Sequence, residues 1–189
     1  MSGDEDICVP AEITVRASLQ TDVPAVTAIY AHHVSDGLAS FEIVPPDEGE
    51  ITRRRDETLA RGLPHLVAAR NGKVVGYAYA APYRTRAAYR YTVEDSVYVD
   101  DRAVGHGAGR ALLDALTAAC TALGYRQMIA VIGDSANAAS IRLHEACGFV
   151  RAGLLSSVGF KHGRWVDRDR KSTRLNSSHS QQSRMPSSA

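Results

Sequence analysis

The sequence has few cysteines, almost no net charge and no long apolar run. Its 189 residues include three cysteines, Cys8, Cys120 and Cys147, which are far apart and odd in number. They provide neither a disulfide framework nor metal-ligand spacing, so we expect a reducing compartment and no metal. The 22 basic and 21 acidic residues nearly cancel, which argues against nucleic acid or an anionic membrane as a partner. Because no apolar run reaches membrane-spanning length and the N-terminus lacks a basic and apolar leader, we expect a cytoplasmic protein.

The order of strand and helix patterns predicts a mixed α/β fold. The length of 189 residues favours a single domain. Residues 1–10 are polar, and we expect them to be disordered. The turn signal Asn71-Gly72 joins two alternating segments and predicts a β-hairpin. The predicted elements in order are a strand (13–16), a helix capped by Thr21, a helix ending near Gly62, the hairpin (66–79), a strand (92–99), a helix to Leu123, a strand (125–132), a helix (137–147) and an apolar segment (149–158).

A glycine-rich loop follows the strand over 92–99 and opens directly into a helix. Gly105, Gly107 and Gly109 stand at every second position, so backbone N–H groups at the helix start can face a phosphate. Gly109 is followed by Arg110 and not by Lys-Ser/Thr, so the loop is not a P-loop. It also lacks the G-x-G-x-x-G spacing and later acidic residue of a dinucleotide fold. Coenzyme A is the remaining pyrophosphate ligand, and the alternative is a tight turn with no ligand.

Five further segments, in the same order as in a known family, carry a resemblance. They are residues 82–89, 93–99, 130–133, 140–145 and 159–163. With the coenzyme-type loop, the chain resembles the GNAT acetyltransferase superfamily over about residues 11–167. Within that superfamily, these segments are similar to those of the phosphinothricin and methionine-sulfone N-acetyltransferases.

The resemblance implies a GNAT fold, in which a central mixed, twisted sheet is flanked by about four helices. It implies acetyl transfer from acetyl-CoA to the amino group of a small anionic amino-acid analogue of the phosphinothricin, methionine sulfone or sulfoximine type. A homodimer is common in the family. Two alternatives stay open, namely a GNAT enzyme for another amine and an inactive coenzyme-A-binding domain.

Two residues are candidates for the proton transfers of such a reaction. Alternation places Glu94 on one strand face with Ser96 and Tyr98, and the resemblance assigns the base to Glu94. The alternative is a solvated charge. His144 follows the family pattern Asn-x-x-Ser-x-x-Leu at the position of a tyrosine that protonates the departing thiolate. The alternative for His144 is a helical histidine that packs or caps.

The resemblance also implies the binding residues. Arg84 and Arg86 can hold a carboxylate or phosphinate, and Phe41 and Tyr89 are expected to wall the acceptor pocket. Arg84 replaces a lysine of the family, which leaves the acceptor's identity open, and the two arginines could instead be solvated. The expected coenzyme contacts come from the strand, the loop and the start of the following helix: Val97, Tyr98, Val99, Gly105, His106, Gly107, Ala108, Gly109, Arg110, Asn137 and Ser140.

The C-terminus departs from the family pattern. After Asp167 the chain continues with Arg168-Asp169-Arg170-Lys171 and then a serine- and glutamine-rich stretch to Ala189. This part has no apolar alternation, so we predict that residues 168–189 are a disordered, non-native tail. The final strand of the family would then be missing, and an unpaired sheet edge would remain.

Overall fold

A seven-stranded mixed sheet organises residues 12–175, the part of the chain that this computed structural model describes. The strands follow the spatial order β1-β2-β3-β4-β5-β7-β6, with β4 and β5 parallel and the other neighbours antiparallel. The strands are β1 (Ile13–Ala17), β2 (His65–Arg70), β3 (Lys73–Pro82), β4 (Thr92–Val99), β5 (Gln127–Gly133), β6 (Val150–Lys161) and β7 (Arg164–Arg174). The helices are α1 (Val23–Ser35), α2 (Glu48–Ala60), α3 (Ala108–Ala122) and α4 (Ala138–Ala146). The predicted mixed α/β fold is therefore confirmed.

The two sheet faces carry separate apolar cores. Helix α3 buries Leu112, Leu116 and Cys120 at helical spacing against one face, where Val93 of β4 is also buried. The opposite core contains Val26 and Tyr30 of α1 together with tyrosines of the sheet, and α2 adds a buried isoleucine. Because alternate β4 residues enter opposite cores, the alternation that the sequence predicts for this strand is present.

Strands β4 and β5 pair over only part of their lengths. Their parallel register runs from Thr92 opposite Gln127 to Asp95 opposite Ala130, and both strands then continue without pairing to each other. The second half of β4 therefore has backbone groups that no neighbouring strand satisfies on that side. This separation opens a gap in the middle of the sheet.

The prediction of a missing last strand is wrong. Residues 168–174 lie in β7 and pair with the whole of β5, while the other side of β7 pairs with β6. Buried and less buried side chains do alternate along β7, but the buried positions 169 and 171 hold charged residues in ion pairs and not apolar residues. Lys171 is 1% exposed, and its Nζ is 2.8 Å from Glu145 Oε1 and 3.6 Å from Asp169 Oδ2. Paired charges can be buried in this way, although a hydrophobicity pattern does not reveal them.

Some expectations lie outside the described residues. They are the disordered residues 1–10, the domain start at residue 11 and the part of the predicted tail over 176–189. Among residues 12–175, no helix has the length and apolar character needed to cross a membrane. The same residues contain no cluster of three His, Cys, Asp or Glu side chains arranged to hold a metal.

Candidate active site

A cleft of about 450 Å³ lies where β4 and β5 separate. The second half of β4, the glycine loop, the first turn of α3 and the start of α4 form its walls. The predicted coenzyme residues line this cleft with the exception of His106, whose Nδ1 lies 3.1 Å from the Val104 carbonyl. Two arginines, Arg110 and Arg142, bring positive charge to the wall.

The glycine loop has the backbone conformation that its sequence predicts. Gly105 has φ +83° and Gly107 has φ +87°, in the left-handed region that favours glycine. Gly107 is the N-cap of α3, and its carbonyl accepts the Ala111 N–H at 3.0 Å. The N–H groups of the first turn have no partner within the helix and lie at the cleft, together with the positive end of the helix dipole. The loop can therefore hold an anionic group such as a pyrophosphate.

A smaller cavity of about 50 Å³ adjoins the cleft between the two separating strands. Ala39, Val97, Tyr98, Asn137 and Ser140 line both spaces. The inner cavity is also lined by two titratable side chains that are buried, one from β4 and one from α4. The cleft at the glycine loop is therefore continuous with a cavity that holds two buried ionisable side chains.

These two side chains are Asp95 and His144. His144 Nε2 is 3.0 Å from Asp95 Oδ2, and His144 Nδ1 is 2.7 Å from the Ser140 carbonyl oxygen. Because both partners are acceptors, both ring nitrogens donate, as in the charged form of histidine. Burial lowers the pKa of His144, but the hydrogen bond and charge of Asp95 outweigh it, and the pKa is raised overall.

Glu94 lies next to Asp95 in sequence, on the opposite face of β4. It is half-buried, and this burial raises the pKa of its carboxyl. The charge of Asp95 also raises it, whereas the positive charges of Arg168, Arg170 and Arg84 lower it. The net direction is upward, toward the pH range in which a carboxylate can serve as a general base.

The predicted acceptor residues occupy two places. Arg84 and Tyr89 lie in the exposed segment between β3 and β4, where Arg84 Cζ is 5.2 Å from the Tyr83 ring centroid and the rings of Tyr83 and Tyr89 meet edge to face at 5.6 Å. Arg86 is exposed in the same segment and is not among the residues whose charge acts on Glu94. Of the predicted acceptor residues, Arg84 is the one whose positive charge is a main cause that lowers the pKa of Glu94.

Phe41 packs elsewhere, against the last two strands. Arg168 Cζ lies 4.3 Å from the Phe41 ring centroid, within cation–π range. A Cβ built on Gly159 of β6 would lie 2.2 Å from Phe41 Cε2, so the ring rests directly on this glycine. Arg168 therefore contacts Phe41 and also lowers the pKa of Glu94 by its charge.

Sequence reasoning missed three residues of this region. Asp95 is 49 positions from His144, His33 reaches the cleft from α1 with its Nε2 2.9 Å from the Val99 carbonyl, and Arg168 lies in the segment predicted as a tail. Asp95 and His33 come from tertiary contacts with no local sequence signal. The alternation of Asp169 and Lys171 is the signal that could have placed Arg168 on a strand.

The chain matches the Acetyltransferase (GNAT) family over residues 27–149. It is 59% identical over 154 residues to a phosphinothricin N-acetyltransferase of Alcaligenes faecalis, which covers 82% of this chain and 78% of that protein. It is 39% identical over 155 residues to an L-methionine sulfoximine/L-methionine sulfone acetyltransferase of Salmonella typhimurium, covering 82% and 90%.

Solved structures agree with these relatives. A GNAT phosphinothricin acetyltransferase of Sinorhizobium meliloti, in complex with AcCoA, superimposes with a TM-score of 0.84 at 46% identity, covering 86% of this chain and 88% of that one. The family match spans well over half of the chain, and the relatives cover 82% of it. The chain therefore belongs to the GNAT family and is an N-acetyltransferase.

Proposed function

We propose that the enzyme transfers the acetyl group of acetyl-CoA to the amino group of a small anionic amino-acid analogue of the phosphinothricin or methionine sulfoximine type. The observation that carries this proposal is the cleft that runs from the glycine loop to the separation of β4 and β5, with Glu94 one residue before the last paired residue of β4. The names of the relatives and the AcCoA complex of the Sinorhizobium meliloti protein support it.

The cleft fits the coenzyme in chemistry as well as in position. The first-turn N–H groups of α3 would hold the pyrophosphate, and Arg110 and Arg142 would add charge to that end. Asn137 and Ser140 would contact the part of the coenzyme that lies nearest the inner cavity. Backbone N–H groups of Val97–Val99 would polarise the thioester carbonyl, because donors already in place stabilise developing oxyanion charge without reorganisation.

Glu94 would take the proton from the acceptor's ammonium group, directly or through water. A general base works best when its pKa approaches the working pH, and the burial of Glu94 raises its pKa in that direction. The neutral amine then attacks the acetyl carbon. His144, with its pKa also raised, is our candidate for the proton that the departing thiolate needs.

Positive charge around Glu94 favours an anionic acceptor. The charges of Arg84, Arg168 and Arg170 all act on this carboxyl, and a guanidinium binds carboxylate or phosphinate in a bidentate way. A polyamine or aminoglycoside would meet like charge at the same place. Phe41 and Tyr89 would supply the walls, and Arg86 would contribute charge at the rim.

We also propose a homodimer and a cytoplasmic location. The rings of Phe160 on β6 and Trp165 on β7 form an edge-to-face pair with their centroids 5.3 Å apart. The two residues are 58% and 65% exposed. Exposed aromatic pairs are typical of interfaces between subunits. Cys120 and Cys147 are free thiols, as in a reducing compartment. Sedimentation would test the dimer, which a Trp165→Ser variant would weaken.

The test of the activity is thiol release from acetyl-CoA by the purified chain. L-phosphinothricin and L-methionine sulfone serve as acceptors, and spermidine serves as a cationic amine of similar size. Release that depends on the two anionic acceptors and not on spermidine is the expected result. Release with spermidine alone would contradict the acceptor class, and absence of release with every amine would contradict the activity.

A further inference from the structure

Three side chains connect the inner cavity to the coenzyme cleft in a continuous row. Asp95 Oδ2 is 3.0 Å from His144 Nε2, and His144 Nδ1 is 3.4 Å from Ser140 Oγ. Asp95 and His144 line the inner cavity, while Ser140 lines both spaces. We propose that these residues form a proton relay to the departing thiolate, with Asp95 as the positioning residue and the Ser140 hydroxyl as the group that protonates sulfur. This inference rests on the proposed function.

His144 is placed to feed a proton and not to deliver it directly. It is 4% exposed, and both of its ring nitrogens already have partners. Its Nε2–H is committed to Asp95, so the proton that can leave is the one on Nδ1. Nδ1 lies 2.7 Å from the Ser140 carbonyl oxygen and 3.4 Å from the Ser140 hydroxyl oxygen. Catalytic hydrogen bonds are often this long before substrate binds.

Ser140 is the hydroxyl best placed to reach the sulfur. Five residues line both spaces, and Tyr98 and Ser140 are the ones among them that carry a hydroxyl. The ring of Tyr98 packs into the core against α1, edge to face with Tyr30 at 5.0 Å. Ser140 is half-buried in the first turn of α4 and adjoins both His144 and the cleft.

Asp95 holds His144 in its doubly protonated form. The pair is almost fully buried, with side-chain exposures of 5% for His144 and 2% for Asp95. Other charged or titratable groups that face the pair are Lys171 of β7, which lowers the pKa of His144, and the thiols of Cys120 and Cys147. Burial is the main cause that raises the pKa of each thiol, and the charge of Asp95 adds to it. Asp95 is thus the carboxylate that opposes both burial and Lys171.

In this relay the proton reaches sulfur through two linked transfers. As the amine nitrogen bonds to the acetyl carbon, the carbon–sulfur bond breaks and sulfur keeps the electron pair. The Ser140 Oγ–H proton moves to sulfur, and the His144 Nδ1 proton moves to Oγ. His144 is left neutral, with Nε2–H still on Asp95. Solvent returns a proton to Nδ1 after the thiol leaves. The proton taken from the ammonium group and the second proton that the nitrogen loses as the amide forms both go to solvent, so one proton is released per turnover.

The experiment measures kcat and KM against pH for the unmodified chain and for Asp95→Asn, Ser140→Ala and Ser140→Thr, with Asp56→Asn as an exposed control on α2. Imidazole signals are titrated by NMR in parallel, which requires no turnover. Because kcat needs protonated His144, it falls as pH rises through the pKa of the pair. Removing the opposite charge in Asp95→Asn should move this alkaline limb, and the His144 titration, down by about one pH unit or more.

Ser140→Ala should lower kcat by about 100-fold. KM for acetyl-CoA should rise by a much smaller factor, because Ser140 is also a proposed contact of the coenzyme. Ser140→Thr keeps a hydroxyl and should restore most of kcat. An unmoved alkaline limb in Asp95→Asn, or full kcat in Ser140→Ala, would overturn the relay. If the unmodified chain releases no thiol with any amine, the proposed function and the relay are both overturned. If the unmodified chain is active but Asp95→Asn leaves the alkaline limb unmoved or Ser140→Ala keeps full kcat, the relay alone is overturned.

Discussion

The guanidinium of Arg168 stacks on the ring of Phe41, with Cζ 4.3 Å from the ring centroid, and its charge also acts on Glu94. Strand β7 therefore adds a positive charge to the proposed acceptor side of the site. Arg168 Nε is buried and has no hydrogen-bond partner within residues 12–175. A single side chain of β7 thus contacts Phe41, the proposed wall of the acceptor pocket, and acts by its charge on Glu94, the candidate base.

Arg168→Ala should raise KM for the anionic acceptor by about tenfold or more, since a charged hydrogen bond contributes about 1.5–3 kcal/mol. Arg168 lowers the pKa of Glu94, so its removal should move the acid limb of kcat/KM to higher pH. KM for acetyl-CoA should stay the same. Arg61→Ala, at the end of α2, removes an equal charge as a control. An unchanged acceptor KM would remove Arg168 from the binding site.

Glu94→Gln tests the base. It should lower kcat by about 10²–10⁴-fold, while the affinity for acetyl-CoA stays unchanged. Because the carboxyl must be ionised to accept a proton, activity of the unmodified enzyme falls as pH drops through a pKa that burial raises above its ordinary value. The variant should lose this acid limb. Glu48→Gln, exposed at the start of α2, is the control. Turnover that survives Glu94→Gln would assign the proton transfer to another group.

Much of the fold could be predicted from local patterns, because the main elements obey them. Asn71 and Gly72 have positive φ angles, as the predicted hairpin turn requires. The predicted coenzyme residues other than His106 converge on one cleft, since the end of β4, one loop and two helix starts carry them. Helix α1 begins at Val23, and its N-cap is Asp22 and not the predicted Thr21, because residues 20–22 form a short 3-10 turn.

Tertiary pairing accounts for what sequence patterns did not reveal. Strand β7 was missed because Asp169 and Lys171 are buried through ion pairs, and charge in a sequence ordinarily indicates exposure. The partner of His144 could not be found because Asp95 comes from a strand 49 positions away. A strand that alternates also gives no indication of where its pairing with a neighbour stops, so the gap between β4 and β5 was visible only in the structure.

Gly107→Val should abolish acetyl-CoA binding. Gly107 and Gly124 lie at opposite ends of α3 with φ angles of +87° and +85°, and neither has an atom within 4 Å of an added Cβ. Both valine variants should therefore lose a similar free energy of unfolding, about 1–2 kcal/mol, from the left-handed backbone. Only Gly107→Val should prevent binding in calorimetry, since its side chain enters the loop. Equal binding by the two variants would contradict the assignment of the loop.

The ion pair between Asp22 and Arg16 should make stability depend on pH. Its carboxylate is 7% exposed, and two Arg16 nitrogens and the Leu19 N–H donate to it at 2.6–2.8 Å. The hydrogen bonds from Arg16 lower the pKa of Asp22 in the folded state. Its contribution is therefore present above the ordinary value of 3.8 and is lost as pH falls through the folded value.

Asp22→Asn should accordingly lower the free energy of unfolding at pH 7 by about 1–2 kcal/mol, a figure reduced because Arg16 is 41% exposed and screened by solvent. At a second pH, well below the ordinary value of 3.8, the difference from the unmodified chain should shrink toward zero. Urea unfolding at the two pH values measures it. A difference that is the same at both would assign the effect to packing and not to charge.

Gly159→Ala should disturb the acceptor pocket through Phe41. The added Cβ would lie 2.2 Å from Phe41 Cε2, so the ring must rotate away, and its stacking on Arg168 is lost. We expect KM for the acceptor to rise by about tenfold, with KM for acetyl-CoA unchanged. Gly153→Ala on the same strand is the matched control, because nothing lies within 4 Å of its added Cβ.

A double-mutant cycle with Phe41→Ala separates this effect from a general loosening of β6. If the glycine acts only by seating the ring, adding Gly159→Ala to Phe41→Ala should cost nothing further, because the ring that it displaces is already absent. Losses that simply add would mean that Gly159 acts through the backbone of β6. Measuring acceptor KM for the four proteins of the cycle therefore decides whether Phe41 is held by packing against Gly159 as well as by the charge of Arg168.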